Sequence, residues 1–277
     1  MASLSAFSLL SASSWIIIEQ IDALMISQFL NLEKTGIFTI TMYFGLLIVL
    51  PTRSLYGAAH ALVAQFWKDN EKAKLQKMYR KSCEIMGLFG LLLFLLIWGN
   101  IDNILQLLPP SYAEGRYVIL FFCLGGVVEM FTGLNGIILV SSKFYKYDTV
   151  FVFLLIFITI LLNYLLIPRF GIVGVAMANF SARTLINLFR FLFLWYKFNF
   201  QPYTINSLKM PVIATLVWLA VNWLPHLSAW LWPPFPLEDI ACRSLLMVVG
   251  FGGLVLLTKV IDIKNISFRE LLRFNSN

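Results

Sequence analysis

The chain has little charge and little of the chemistry on which enzymes depend. Only 13% of its 277 residues are Asp, Glu, Lys or Arg, roughly half the share in a soluble domain. Two histidines cannot build a multi-histidine metal site, and the three cysteines (Cys83, Cys123 and Cys242) show no CxxC spacing. No nucleophile–base pair, paired catalytic carboxylates or glycine-rich phosphate loop is present. The sequence therefore indicates a protein that is not an enzyme and needs no metal or cofactor.

Long apolar runs take up most of the chain. Apolar residues make up 60% of it, and the mean hydropathy is +0.82. A run of about 20 apolar residues is long enough to cross a bilayer as a helix. The runs predict an all-α polytopic membrane protein with about eight transmembrane helices, at roughly 4–29, 35–66, 79–98, 116–141, 148–167, 170–196, 209–225 and 241–258.

The net charge of +7 indicates how the chain is oriented in the membrane. Fourteen lysines and arginines fall in segments on one side of the predicted membrane and four on the other, while Arg53, Arg183 and Arg190 fall inside spans. The positive-inside rule assigns the richer side, and with it both termini, to the cytoplasm. Nucleic acid is therefore not an expected partner. The stretch 68–81, which mixes acids and bases, predicts a short surface helix that leads into the third span and contacts membrane lipids.

Two acids interrupt the first apolar run. Glu19 and Asp22 are three residues apart, so they share one face of the predicted helix. Ionisable groups at membrane depth are rare and mark ion or substrate pathways. The pair predicts a proton or cation site or a lining for a polar substrate. The alternative is a structural acid that is hydrogen-bonded to a neighbouring helix.

Arginines and a third acid interrupt other spans. Arg53 follows Pro51 in the second span, and its planar fork suits phosphate. It is predicted to bind an anion, or else to extend to the membrane surface. Arg183 is predicted to line the same cavity or to pair with Glu129, and Arg190 to reach the inner surface. Interhelical hydrogen bonds are expected from Asn135, Asn163, Asn179 and Asn187.

Several motifs, taken in order, resemble a transporter family. They are Ile21-Asp-Ala-Leu-Met-Ile-Ser27, Leu50-Pro-Thr-Arg53, Val63-Ala-Gln-Phe-Trp67 before a basic linker, and Asn163-Tyr-Leu-Leu-Ile-Pro-Arg-Phe-Gly-Ile-Val-Gly-Val-Ala-Met-Ala178. The last is similar to an N-x-x-L-I-P-x-x-G-I-x-G-A-A-x-A signature. Together they resemble the C-terminal half of polysaccharide flippases, which export lipid-linked oligosaccharide such as O-antigen. This family belongs to a superfamily that also includes lipid II flippases and multidrug extruders of the MATE type.

The resemblance implies how the chain is organised and what it moves. Residues 1–196 would form a six-helix C-terminal transporter lobe, and 197–277 two further helices with a cytoplasmic tail. The substrate would be an undecaprenyl-pyrophosphate glycan, flipped across the bacterial inner membrane for cell-surface polysaccharide. Arg53 and Arg183 would hold the pyrophosphate.

A complete carrier of this family has two lobes, and the N-terminal lobe is absent from the chain. Met1 to Leu10 also lacks the basic region of a signal peptide and reads like the interior of a longer protein. The missing lobe is expected upstream in the same chain, as a separate subunit or as a second copy. Two alternatives stay open: half of a cation-coupled drug antiporter, or a membrane glycosyltransferase or polymerase of the same pathway.

Overall fold

Helices account for nearly all of the described chain, and no strand occurs in it. The structure is a computed structural model that describes residues 18, 20–227 and 235–260, without the side chains at 53, 54, 58 and 224–227. A 3₁₀ turn at Pro110–Gly115 precedes α5. The helices are α1 (20–29), α2 (Leu32–Lys68), α3 (Lys72–Trp98), α4 (Ile101–Gln106), α5 (Arg116–Thr132), α6 (Asn135–Val140), α7 (Tyr145–Phe198), α8 (Ile205–Leu227) and α9 (Pro236–Leu257).

The predicted fold class, an all-α polytopic membrane protein, is confirmed. Among the described residues, six segments are long and apolar enough to cross a bilayer: α2, α3, Pro110–Thr132, α7, α8 and α9. Most of the predicted first span, 4–29, lies outside the described residues, which include only its end as α1. The chain is an all-α, multi-pass membrane protein.

The 54-residue helix α7 is a hairpin of two membrane-length arms. The backbone leaves helical geometry at Gly171, whose φ of +57° is readily adopted only by glycine. We call residues 145–170 α7N and residues 172–198 α7C; each is about 40 Å long at 1.5 Å per residue. Ring contacts such as Phe151–Phe189, 6.2 Å between centroids, hold the antiparallel arms together. The sequence analysis placed the boundary between these two spans at 167–170; the break lies at Gly171.

The predicted fourth span, 116–141, is not one helix. It breaks at Gly133, where φ is +54°, into α5 and α6. The break exposes backbone groups that a membrane cannot satisfy, and side chains from other helices satisfy two of them. The Leu134 amide donates to Ser82 Oγ (3.3 Å), and the Tyr56 hydroxyl donates to the Gly133 carbonyl (3.1 Å).

Two predicted helix starts are also wrong. Helix α2 begins at Leu32 with Asn31 as its N-cap, because the Asn31 side chain accepts a hydrogen bond from the Lys34 amide (2.8 Å). Thr35, where the second span was predicted to begin, lies inside the helix. The third span was predicted to begin at 79, after a surface helix that leads into it; the two are one helix, because α3 starts at Lys72 and runs unbroken to Trp98.

Glycines let the central helices approach closely. Gly45 of α2 lies against Phe122 of α5, and Gly126 of α5 lies against Ile48 of α2, so that a Cβ at either glycine would meet the facing helix. Small residues permit such contact between membrane helices, where apolar burial supplies little driving force. The α2–α5 pair therefore forms the rigid centre of the bundle.

The last two helices pack on the outer side of α3. Met210 and Val217 of α8 and Met247 and Phe251 of α9 share one buried cluster with Leu95 of α3. A polar network joins one end of α9 to the rest. In it, Asp239 accepts from Arg243 Nε (2.7 Å) and Asn103 Nδ2 (2.6 Å), while Arg243 donates to Asn222 Oδ1 (3.0 Å). Whether the chain divides into domains at residue 196 stays a prediction.

Candidate functional site

A buried carboxylate joins α1 to both arms of α7. Asp22 is 1% exposed, and its two oxygens accept hydrogen bonds from Asn163 Nδ2 and Asn179 Nδ2, each 2.6 Å long. Asn163 lies eight residues before Gly171 and Asn179 eight residues after it. The hairpin at Gly171 therefore brings the two amides to the same depth, where one carboxylate can bridge them.

This cluster contains oxygen atoms of the kind that coordinate hard cations. The carboxylate of Asp22 lies beside Asn163 Oδ1, which is buried and has no hydrogen-bond partner among the described residues. Carboxylate and amide oxygens are ligands that hard cations prefer. No group of three or more His, Cys, Asp and Glu that could hold a metal occurs within the described ranges.

Helix α7C carries a polar stripe that continues from this cluster. Asn179, Arg183, Asn187 and Arg190 are spaced by four, four and three residues, so they lie on one face of the helix. In a membrane helix, a row of this kind faces protein or a water-filled space. The stripe leads from the Asp22 cluster into a cavity between the helices.

The cavity has a volume of about 370 Å³ and lies between α2, α5, α6 and the two arms of α7. Polar and ionisable side chains come from every one of these elements. They are Tyr56, His60, Glu129, Asn135, Asp148, Arg183, Asn187 and Arg190.

Both cavity arginines are paired with acids. Arg183 donates to Glu129 at 3.4 Å, and Arg190 Nε donates to Asp148 Oδ1 at 2.8 Å. The predicted Arg183–Glu129 pair is thus confirmed. The prediction that Arg190 reaches the membrane surface is wrong, because Asp148, with a 2% exposed side chain, holds it inside. The guanidinium also lies against Gly136, which offers no side chain to displace it.

Asn187 ties the wall of the cavity together. Its Oδ1 accepts from Thr132 Oγ1 (3.2 Å) and from Asn135 Nδ2 (3.1 Å), on either side of the break at Gly133. The predicted interhelical hydrogen bonds of the four asparagines are therefore all present. They fix the broken α5–α6 segment against α7C, so the cavity has a defined polar wall.

The structure brings together three of the five residues that were predicted as functional. Asp22 lies in the amide cluster, and Arg183 and Glu129 line the cavity. Glu19 lies outside the described residues. Arg53 belongs to α2, but its side chain lies outside the described part of the chain. Their roles stay predictions.

Sequence reasoning missed four cavity residues: Tyr56, His60, Asp148 and Arg190. A signal for the last two was available. Asp148 lies 23 residues before Gly171 and Arg190 lies 19 residues after it. In a hairpin centred on that glycine, two such positions lie within about one helical turn of each other.

Comparison with known proteins supports the fold. No family model and no curated protein sequence matches the chain. A solved MOP superfamily transporter from Pyrococcus furiosus is similar in structure, with a TM-score of 0.58 and 15% sequence identity. The alignment covers 90% of the present chain and 61% of the archaeal one. The chain is thus similar in fold to part of a MOP superfamily transporter.

Proposed function

We propose that the chain is part of a membrane transporter that flips an undecaprenyl-pyrophosphate-linked oligosaccharide across the bacterial inner membrane, with both termini cytoplasmic. One observation carries the proposal: two arginines converge on one polar cavity within a bundle of membrane helices. Guanidinium groups bind phosphate through paired, charge-assisted hydrogen bonds. A cavity of this kind suits the charged part of a lipid-linked substrate.

Arg183 is the arginine assigned to the pyrophosphate. Its contact with Glu129 is long, 3.4 Å, and the Glu129 side chain is 29% exposed. The Arg190–Asp148 contact is short, 2.8 Å, and its acid is almost fully buried. An incoming phosphate can replace Glu129 at lower cost than Asp148, because Glu129 can be solvated when it is released. Arg190 then stays paired with Asp148 and forms part of the cavity wall.

Asp22 is assigned to ion coupling. Its carboxylate binds both arms of the α7 hairpin, so a proton or cation there changes the contacts between α1 and the arms. Asn179 is one turn from Arg183 on the same face of α7C, about 6 Å along the helix. The ion site and the anion site therefore share a helix face. Glu19 and Arg53 belong to the same proposal on sequence grounds alone.

The transporter is proposed to need a second lobe. The chain spans 61% of the length of the archaeal transporter. Alternating access requires two bundles that rock against each other around a shared site. The partner would be an N-terminal lobe encoded upstream in the same chain, a separate subunit or a second copy.

Binding of a pyrophosphate lipid tests the proposal. Purified chain is titrated with undecaprenyl pyrophosphate and with uncharged undecaprenol. Arg183→Gln should weaken pyrophosphate binding by roughly 10- to 100-fold, the value of a hydrogen bond to a charged group, and should leave undecaprenol unaffected. Arg243→Gln is the matched control, because Arg243 also pairs with an acid but lies outside the cavity. Equal binding of the two lipids by wild-type chain would refute the anion site.

A drug antiporter is the second candidate, and the acids favour it. Asp22 and Glu129 both lie within the helix bundle, and a cationic drug would be held by acids rather than by arginines. Under this alternative, a cationic dye such as ethidium would bind the chain, and Glu129→Gln would weaken it. Arg183→Gln would then strengthen dye binding by removing a like charge, the opposite of its effect on pyrophosphate.

A further inference from the structure

An apolar groove lies on the far side of α5 from the polar cavity. It has a volume of about 740 Å³ and separates α8 from α5, with α3 as its floor. Nearly all of its lining is hydrocarbon; representative residues are Leu91 and Trp98 of α3, Val127 and Phe131 of α5, and Pro211 and Trp218 of α8. Water finds almost no hydrogen-bond partners on such a surface, so an apolar molecule is the favoured occupant of the groove.

The groove has the length of one membrane leaflet. Along α8 its lining runs from Ser207 to Trp218, which is about 17 Å at 1.5 Å per residue. Half of the hydrocarbon core of a bilayer is about 15 Å. The groove starts at the first turn of α8 and ends near mid-bundle. An apolar chain that enters at the start of α8 would therefore end inside the groove.

The open end of the groove is polar and basic. Tyr203 and Ser207 line it, and burial raises the pKa of Tyr203, so its hydroxyl stays protonated as a donor. The connection just before α8 is held on α3, where Gln201 O accepts from Gln76 Nε2 (2.6 Å) and from Arg80 (3.5 Å). Arg80 is exposed at this end, and Glu84, which accepts from Thr204 Oγ1 (3.4 Å), lies close to it; Arg80 and Lys81 together outweigh the single negative charge of Glu84. A headgroup that carries a negative charge would be matched here.

We infer that the groove between α3, α5 and α8 binds one acyl chain of an anionic phospholipid, with the phosphate at the Arg80 end. The occupant is a lipid of the bilayer rather than the transported substrate, because the groove ends after one leaflet. The two hydroxyls at the open end lie where a glycerol–phosphate headgroup begins. The acyl chain fills the space that separates α8 and α9 from α5. The lipid therefore completes the packing of these helices.

Photo-labelling tests this inference. The full chain is reconstituted in vesicles of phosphatidylethanolamine and phosphatidylglycerol that contain a phosphatidylglycerol with a diazirine in one acyl chain. Illumination should attach the probe to peptides of α5 and α8 that line the groove. Thr215→Trp fills the groove, since Thr215 lines it. Excluding about two CH₂ groups of the chain should lower labelling there about tenfold.

Leu216→Trp is the matched control, because Leu216 is the next residue of α8, is 56% exposed and lies outside the groove lining. Its labelling should equal that of wild type. If Thr215→Trp prevents folding, Thr215→Leu serves with a smaller expected decrease. Arg80→Gln should reduce labelling by phosphatidylglycerol but not by a phosphatidylcholine probe. Equal labelling of the Thr215 and Leu216 variants, or preferential labelling by a polyprenyl phosphate probe, would overturn the inference.

Discussion

Two different substitutions of Asp22 should distinguish its contribution to the stability of the helix bundle from its contribution to transport. Its carboxylate bridges Asn163 of α7N and Asn179 of α7C, and the side chain is almost completely buried. Asp22→Leu removes both acceptors and keeps a branched side chain of similar shape. Asp22→Asn keeps the shape and one acceptor, and its new amide can donate to the buried Asn163 Oδ1, which has no partner in the described structure. The two variants thus differ mainly in hydrogen bonding.

The hydrogen bonds set the expected size of the effect. Contacts between polar side chains of membrane helices are worth about 0.6 kcal/mol each, so losing two costs about 1 kcal/mol. If the two amides stay buried without an acceptor, the cost rises to about 2 to 6 kcal/mol. We expect Asp22→Leu to lie within this range, because Asn163 and Asn179 face each other across a tight hairpin and water cannot reach them easily. Asp22→Asn should be much closer to wild type.

Thermal unfolding in detergent, followed by the loss of monomeric protein on size exclusion, measures these differences. Thr159→Val is the control, because Thr159 is equally buried but its hydroxyl donates only to Leu155 of its own helix (2.8 Å). It should be nearly neutral. Asp22→Asn should fold like wild type yet lose its response to the coupling ion. A Leu variant as stable as the Asn variant would refute the view that the carboxylate holds the hairpin.

The remaining predictions concern the α7 hairpin. Gly174→Ala should destabilise the chain by about 1 to 3 kcal/mol, because its Cβ would meet the Leu166 carbonyl, whereas Gly252→Ala, which faces open space, should not; thermal unfolding compares the two. Arg190→Met should cost about 3 to 5 kcal/mol by leaving Asp148 buried without its cation. Adding Asp148→Leu to that variant should restore much of the stability, and a double variant less stable than the single one would contradict the pairing.

Local hydropathy was enough to predict most of the helices, and it failed at the breaks. The span 116–141 is predominantly apolar, so hydropathy extends one helix across Gly133 although Glu129 and Asn135 lie within the span. The break persists because Ser82 and Tyr56, both from other helices, satisfy the freed backbone groups. That compensation is tertiary and cannot be read from the span itself. By contrast, the boundary between the spans 148–167 and 170–196 was predicted, and the break at Gly171 lies within one residue of it.

The site residues show the same contrast between local information and tertiary contacts. Arg183 and Glu129 were paired in the sequence analysis because both lie at membrane depth, where an isolated charge is costly. Arg190 lies nearer the end of its span, where a long side chain can ordinarily reach the surface. Its actual position depends on Asp148, which lies 42 residues away in sequence. Only the register of the hairpin brings the two together, and hydropathy carries no information about register.

Under the proposed function, the α7 hairpin links the proposed ion site to the proposed anion site. The Asp22 cluster lies eight residues from the bend, where Asn163 and Asn179 are close and the geometry is fixed. The arginines lie farther along, where the arms are held by the Arg190–Asp148 pair and by aromatic contacts. A small change of angle at the cluster therefore becomes a larger displacement at the arginines. Under the proposed function, an ion at Asp22 would reshape the anion cavity by this leverage without touching it.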